Sequence, residues 1–234
     1  MRHGMMSLTI GMTICALAFA SPAAAATKVA CAGDSITKGV GGGGQDYPKQ
    51  LGELLGKDYV VGNYGASGRT VLPGRGQYAA DKYCKQALAS KPDVVVIMLG
   101  TNDAKSATVD KEKFTAAYKA LVKSFADLPS KPKIYICTPV AVGKDNYGIT
   151  GAVVKEQVVP LVKAIAADLK LPLIDCYTPT EGKTDLFDDG IHPNAKGYAV
   201  IAKTVAEAIK AAPKASASPT APAKAAVSAR PFPG

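Results

Sequence analysis

A histidine and a serine at opposite ends of the chain are its strongest candidates for catalytic chemistry. His192 lies in the run Asp188-Asp189-Gly190-Ile191-His192-Pro193-Asn194, and the only other histidine is His3, near the start. A hydroxyl nucleophile needs a base that is partly neutral near pH 7, which imidazole supplies. Ser35 follows the apolar run Lys28 to Ala32, so it stands at the carboxyl end of a predicted strand. If the protein is a serine hydrolase, these two residues are its base and its nucleophile.

The elements that must position these residues alternate between strand and helix. Apolar, β-rich runs recur along the chain and are separated by helical segments: Lys28 to Ala32, Asp58 to Asn63, Asp93 to Leu99, Lys133 to Thr138 and Leu171 to Asp175. Such alternation predicts a mostly parallel sheet with helices on both faces. The run from Val94 to Leu99 is apolar at every position, which is typical of a central strand covered on both sides.

Three helices are predicted from spacing and capping signals. Large apolar residues at helical intervals predict an amphipathic helix from Asp110 to Leu128: Phe114, Tyr118, Leu121, Phe125 and Leu128. These aromatic residues are expected in the core and not at a binding surface. A second helix should follow Ile149 and bend near Pro160. The last should run from Asn194 to Ala211, with Asn194 as its N-cap.

Groups of polar residues follow these predicted strands. The carboxyl ends of parallel strands lie at the same edge of a sheet, which is the usual place for a functional site in an open α/β fold. The groups are Gly33-Asp34-Ser35, Asn63-Tyr64-Gly65-Ala66-Ser67-Gly68, Gly100-Thr101-Asn102-Asp103 and, after the last strand and a loop, Asp189-Gly190-Ile191-His192. In this order the set resembles the SGNH, or GDSL-type, hydrolase family, whose blocks supply Ser, Gly, Asn and His. The resemblance covers nearly all of residues 28 to 211. It implies a flavodoxin-like, three-layer α/β/α fold with a mostly parallel five-stranded sheet, carboxylic ester hydrolysis and no cofactor.

The resemblance also implies roles for the acid and the base. Ser35 would attack the ester carbonyl, His192 would take its proton and return it to the leaving alcohol, and Asp189 would hold the imidazolium. Asp188 is the alternative acid. We favour Asp189 because it matches the Asp-x-x-His pattern of the family.

By the same resemblance, the oxyanion hole consists of the backbone N–H groups of Ser35 and Gly65 and the side-chain amide of Asn102. Glycine at position 65 suits a loop whose backbone must approach the substrate closely. The alternative is that Gly65 and Asn102 only make turns. The first block reads Gly-Asp-Ser-Ile, with Ile36 where the family name has leucine, which affects substrate assignment and not mechanism.

Other residues resemble catalytic motifs but do not complete them. Gly65-Ala66-Ser67-Gly68 approaches a nucleophile elbow, but Arg69 stands where the motif needs glycine, so we interpret Ser67 as a loop serine. The four glycines at positions 41–44 lack the Gly-Lys-Ser/Thr ending of a phosphate-binding loop, and we expect them at the rim of the pocket. Asp34 and Asp103 are expected to support loops.

The two ends of the chain differ in composition from its middle. Residues 1–26 form a predicted signal peptide, with basic residues at positions 2 and 3, an apolar run from Met5 to Ala20 and cleavage near Ala26. The alternative is an uncleaved anchor, but the run is shorter than the ~20 residues that span a bilayer. We therefore expect a periplasmic or secreted protein without stable membrane insertion after cleavage. Residues 27–212 would form one hydrolase domain, and residues 213–234, rich in Pro, Ala, Ser and Lys, a disordered tail.

The charge and the cysteine content limit the kinds of ligand and cross-link that the protein is expected to have. The net charge of +9 is spread along the chain without aromatic clustering, which argues against nucleic-acid binding. The predicted mature chain keeps Cys31, Cys84, Cys137 and Cys176, which allow 3 disulfide pairings, although Cys31 and Cys137 lie in apolar runs where free thiols serve as core residues. No Cys-x-x-Cys spacing is present, so we predict no metal site.

Within the esterase class, short predicted loops and no long apolar lid favour small acyl groups, such as O-acetyl groups on carbohydrate. A lysophospholipase or acyl-thioesterase is the alternative in the same family. A different class also stays open: a non-catalytic carbohydrate- or envelope-binding module that keeps the fold. The presence of Ser35, Asn102, Asp189 and His192 together argues against a binding module, which needs no such set.

Overall fold

Five parallel strands organise the chain in the computed structural model, which describes residues 25–74 and 76–211. The strands are β1 (Thr27–Gly33), β2 (Tyr59–Gly65), β3 (Val94–Met98), β4 (Lys133–Cys137) and β5 (Leu173–Ile174). They lie in the order β2-β1-β3-β4-β5, and every neighbouring pair is parallel. This is the flavodoxin-like order, in which the connection reverses direction between β1 and β3.

The helices cover both faces of this sheet. They are α1 (Ser35–Lys38), α2 (Tyr47–Leu55), α3 (Lys82–Ala89), α4 (Lys111–Ala126), α5 (Gly151–Val153), α6 (Val159–Asp168) and α7 (Ala195–Ala211). Buried residues of α2 and α7 pack on one face, and those of α3, α4 and α6 pack on the other. The predicted three-layer α/β/α architecture is therefore confirmed.

The sequence of β3 explains why the sheet is covered twice. All five of its residues are buried. Val95 and Ile97 belong to the core beneath α4, whereas Val94, Val96 and Met98 belong to the core beneath α7. Alternate side chains of a strand point to opposite faces, so an unbroken apolar run fills both cores.

Two elements differ from their predicted bounds for local chemical reasons. A π-helical turn at Val154–Val158 lies between α5 and α6, just before Pro160, which cannot donate the next helical hydrogen bond. The last strand spans two residues instead of the predicted five. It ends just before Asp175, whose Oδ1 accepts hydrogen bonds from the N–H groups of Tyr177 and Thr178 and so starts a turn.

The cysteines at positions 31, 84, 137 and 176 are free and buried. Burial raises the pKa of the Cys31 thiol to about 12, so this group stays protonated and packs as a small apolar side chain. No described helix is long and apolar enough to cross a membrane. Most of the predicted signal peptide and the whole predicted tail lie outside the described residues.

Candidate active site

Ser35 is placed by the junction between β1 and α1. It is the first residue of α1, directly after Asp34, whose Oδ1 accepts a hydrogen bond from the N–H of Ile36 at 2.9 Å. This N-cap fixes the first turn and leaves the backbone N–H of Ser35 among the donors that a helix start cannot satisfy internally. The hydroxyl and this N–H therefore lie together at the carboxyl edge of the sheet.

A chain of hydrogen bonds joins Ser35 to a histidine and an acid. His192 Nε2 lies 2.9 Å from Ser35 Oγ, and His192 Nδ1 lies 2.7 Å from Asp189 Oδ2. An ionised carboxylate only accepts, so Nδ1 carries the proton and Nε2 is left to accept from the serine hydroxyl. The structure therefore brings the three residues together in an arrangement that is suited to proton removal from Ser35.

Asp189 is held as an anion by its own loop. Its Oδ1 accepts hydrogen bonds from the N–H groups of Ile191 at 2.9 Å and His192 at 2.7 Å. Partial burial opposes ionisation, but these bonds and the His192 ring outweigh it and lower the pKa of the Asp189 carboxyl to about 2. Asp188 instead accepts a hydrogen bond from Asn194, the residue that caps α7. The geometry therefore distinguishes the two acids and brings Asp189 to the histidine.

Asn102 lies in the 3₁₀ turn that follows β3, beside the nucleophile. Its side chain is buried, and Nδ2 donates to the carbonyl oxygen of Arg69 at 3.0 Å. The second contact of Nδ2, with Asp34 Oδ2, is a long 3.5 Å. A cavity of about 230 Å³ is lined by Ser35, Asn102 and His192, and also by Ser67 and Gly68.

The structure does not bring Gly65 into this cavity, contrary to the prediction. The N–H of Gly65 donates to Asn63 Oδ1 at 2.9 Å, so it is already paired. A Cβ at this position would overlap the backbone of Lys38, and glycine is therefore needed for the packing of β2 against α1. Gly68 lines the cavity instead, with a positive φ of 74° that favours glycine. Among the described residues, its N–H has no hydrogen-bond acceptor.

Two buried aspartates support the loops around the cavity. Desolvation raises the pKa of Asp34 to about 7 and that of Asp103 to about 6. Asp103 accepts hydrogen bonds from the N–H groups of Val71 and Leu72, which follow the Arg69 carbonyl that contacts Asn102. These carboxyl groups therefore hold loops in place, as the sequence led us to expect.

Val40 lines the cavity, whereas the four glycines that follow it, which we expected at the rim, are not among its lining residues. Gly41, in the run of four glycines, has a positive φ of 86° and lies against His192 and Pro193. Tyr147 lines the cavity from a separate turn, with its ring centroid 5.7 Å from that of His192. Sequence reasoning missed Tyr147 because a single tyrosine between polar loop residues carries no motif.

A larger, more polar cavity is lined in part by Asp189. Its volume is about 640 Å³, and its lining includes Lys144, Asp145, Asn146, Thr184 and Asp188. The two cavities share no lining residue, but neighbouring residues of the same two segments, 143–149 and 187–192, line both. Amide, hydroxyl and carboxylate groups of this kind form hydrogen bonds with polar ligands.

Known proteins resemble this chain in both sequence and structure. An acetylxylan esterase of Xylanibacter ruminicola is 36% identical over 213 residues, which cover 81% of this chain and 44% of that protein. A multidomain esterase of Ruminococcus flavefaciens is 29% identical over 241 residues, covering 85% of this chain and 30% of that protein. The chain therefore spans less than half the length of these two relatives.

Solved structures match over most of the chain. A carbohydrate acetylesterase from Sinorhizobium meliloti superposes with a TM-score of 0.63 at 25% identity, covering 79% of this chain and 99% of that one. The aryl esterase of M. smegmatis gives 0.63 at 20% identity, covering 80% and 99%. The family model of the GDSL-like lipases and acylhydrolases matches residues 31–200. The resemblance seen in the sequence is confirmed, and this chain belongs to the GDSL-like lipase/acylhydrolase family.

Proposed function

We propose that this protein is a serine esterase that hydrolyses carboxylic esters with Ser35, His192 and Asp189. The observation that carries the proposal is the continuous hydrogen-bond chain from Ser35 Oγ through the imidazole to Asp189 Oδ2. It lies at the sheet edge where α/β folds place their sites. Membership of the family supports the same reaction class.

The geometry supports a two-step mechanism. Ser35 Oγ attacks the ester carbonyl while His192 Nε2 takes the hydroxyl proton, and Asp189 stabilises the resulting imidazolium. The imidazolium then gives its proton to the leaving alcohol, and the acyl group stays on Ser35. Water, activated by the same imidazole, hydrolyses the acyl-enzyme and restores the serine.

The oxyanion of each tetrahedral intermediate needs donors that point into the cavity. We assign the backbone N–H groups of Ser35 and Gly68 and the side-chain amide of Asn102. The first two lack acceptors among the described residues, and the third has only the long contact to Asp34 for its second proton. Gly68 replaces Gly65 in this role because the N–H of Gly65 is already paired with Asn63.

We propose short acyl groups on carbohydrate as the substrate, with acetyl esters foremost. The cavity at Ser35 has a volume of only about 230 Å³, which suits a small acyl group. The polar cavity of about 640 Å³ at Asp189 offers room for the sugar that carries the ester. The names of two matched proteins, an acetylxylan esterase and a carbohydrate acetylesterase, support this class. A polymeric substrate also fits the export predicted from the N-terminal sequence.

Ester hydrolysis by the full chain tests the proposal. Activity on p-nitrophenyl esters should be highest for acetate and fall with chain length, and acetylated xylan should release acetate. Ser35→Ala is the matched control and should remove both activities. A preference for long acyl chains would favour a lysophospholipase or thioesterase, and absence of turnover on every ester would favour a binding module.

A further inference from the structure

A strained turn presents an aromatic side chain to the Asp189 and His192 pair. Asn146 and Ile149 are joined by two backbone hydrogen bonds, of 3.2 and 2.8 Å, which close a tight turn around Tyr147 and Gly148. Both central residues have positive φ, 51° for Tyr147 and 76° for Gly148. Glycine adopts this conformation freely, but a bulky tyrosine does so rarely and with strain.

Packing into the core does not account for this tyrosine. The residue is 57% exposed, so apolar burial offers little to offset the strain. The turn is nevertheless fixed to the loop that carries Asp189, because Asn146 Nδ2 donates to the backbone carbonyl of Asp189 at 2.8 Å. Asn146 Oδ1 also accepts from the N–H of Tyr147 at 2.8 Å. These contacts hold the tyrosine beside the acid in spite of its backbone conformation.

The hydroxyl and the ring of Tyr147 contact different members of the pair. The hydroxyl donates to Asp189 Oδ2 at 3.2 Å, the same oxygen that accepts from His192 Nδ1. The ring is tilted by 54° to the imidazole, at a centroid distance of 5.7 Å. Asp189 Oδ1 is already held by two backbone N–H groups, so Tyr147 is the second donor on the oxygen that faces the histidine.

We propose that Tyr147 is a positioning residue for the reaction, an inference that rests on the proposed esterase function. Its hydroxyl fixes the rotation of the Asp189 carboxylate, so that Oδ2 stays aligned with His192 Nδ1. The side chain of Asp189 is 30% exposed, and without the tyrosine water competes for this oxygen. The ring packs beside the imidazole, whose side chain is only 14% exposed, and a low exposure to water strengthens the attraction between the carboxylate and the imidazolium that forms during attack.

Two variants and one control test this role. Tyr147→Phe removes the hydroxyl alone, and Tyr147→Ala removes the ring as well. Tyr83→Phe, on α3, is the control because it removes a hydroxyl from a half-buried tyrosine elsewhere in the fold. The measurements are kcat and KM for p-nitrophenyl acetate, and the rate at which an organophosphonate labels Ser35, which needs the imidazole but no ester substrate.

We expect kcat of Tyr147→Phe to fall roughly 3- to 10-fold, the effect of losing one hydrogen bond, with KM changed less than 2-fold. The labelling rate should fall by the same factor. Tyr147→Ala should lose more in both measurements, and Tyr83→Phe should lose nothing.

Unchanged kcat and labelling in both Tyr147 variants would overturn the proposal while leaving the esterase assignment intact. So would a rise in KM with an unchanged labelling rate, because the tyrosine would then only bind substrate. Failure of the unaltered protein to label Ser35 would refute the esterase assignment itself, and the positioning role with it.

Discussion

Replacing Asn102 with alanine removes one donor from the proposed oxyanion hole and leaves Ser35, His192 and Asp189 in place. One proton of the Asn102 amide is held by the Arg69 carbonyl at 3.0 Å, and the other makes only the 3.5 Å contact with Asp34. The second proton is therefore available to an oxyanion in the cavity. One such donor contributes about 2.7–4 kcal/mol to the transition state, so kcat should fall about 10²- to 10³-fold. KM should change little, because the interaction strengthens only as negative charge develops on the ester oxygen.

The same substitution also has a structural cost that must be separated from catalysis. Loss of the bond to the Arg69 carbonyl should lower the free energy of unfolding by about 1 kcal/mol. Measuring kcat per active site, by titration with an organophosphonate, removes the contribution of unfolded protein. Asn63→Ala is the matched control, because Asn63 also bonds a backbone group, the N–H of Gly65, but lies outside the proposed hole. A kcat for Asn102→Ala equal to that of this control would refute the oxyanion role.

Four further outcomes are expected. Ser35→Ala should abolish turnover and organophosphonate labelling, and a label found on Ser67 would contradict the choice of nucleophile. His192→Ala should slow both turnover and labelling by orders of magnitude, and full activity in this variant would exclude the mechanism. Gly65→Ala should lower the thermal midpoint because its Cβ would meet the α1 backbone, and an unchanged midpoint would contradict this packing role. Burial raises the pKa of Asp34 from 3.8 to about 7, so the folded protein favours the protonated carboxyl. The resulting contribution to the free energy of unfolding is fully present below about pH 4 and is lost as the pH rises through 7. Urea unfolding from pH 4 to 8 should show that Asp34→Asn removes this loss, on the order of 4 kcal/mol, and parallel pH profiles for the two proteins would contradict it.

The sheet could be predicted because each strand is encoded by a short, continuous run of apolar β-forming residues. The five β-rich runs all became strands, and the helix predicted from Asp110 to Leu128 forms as Lys111–Ala126. Asn194 caps α7 as expected, with its Oδ1 accepting from the N–H groups of Lys196 and Gly197. The bounds of β5 were less accurate, because they depend on the turn that Asp175 makes and not on apolar periodicity.

Prediction of the site failed where it depended on tertiary packing. Gly65 and Gly68 lie in one short block, and nothing local distinguishes the glycine that packs against α1 from the glycine that lines the cavity. The distinction needs the position of Lys38, which comes from a different element. Tyr147 was missed for a similar reason, because its proposed role depends on a hydrogen bond to Asp189, which lies 42 positions away in the sequence.

The hydrogen bond between Ser35 and His192 joins residues 157 positions apart. A contact of such long range is among the costliest in chain entropy to close, and it requires α7 and the loop before it to dock against the finished sheet. A growing chain on the ribosome therefore carries the nucleophile long before its base is synthesised. During refolding, secondary structure should return before the proposed esterase activity does, and activity then reports the completion of folding rather than its beginning.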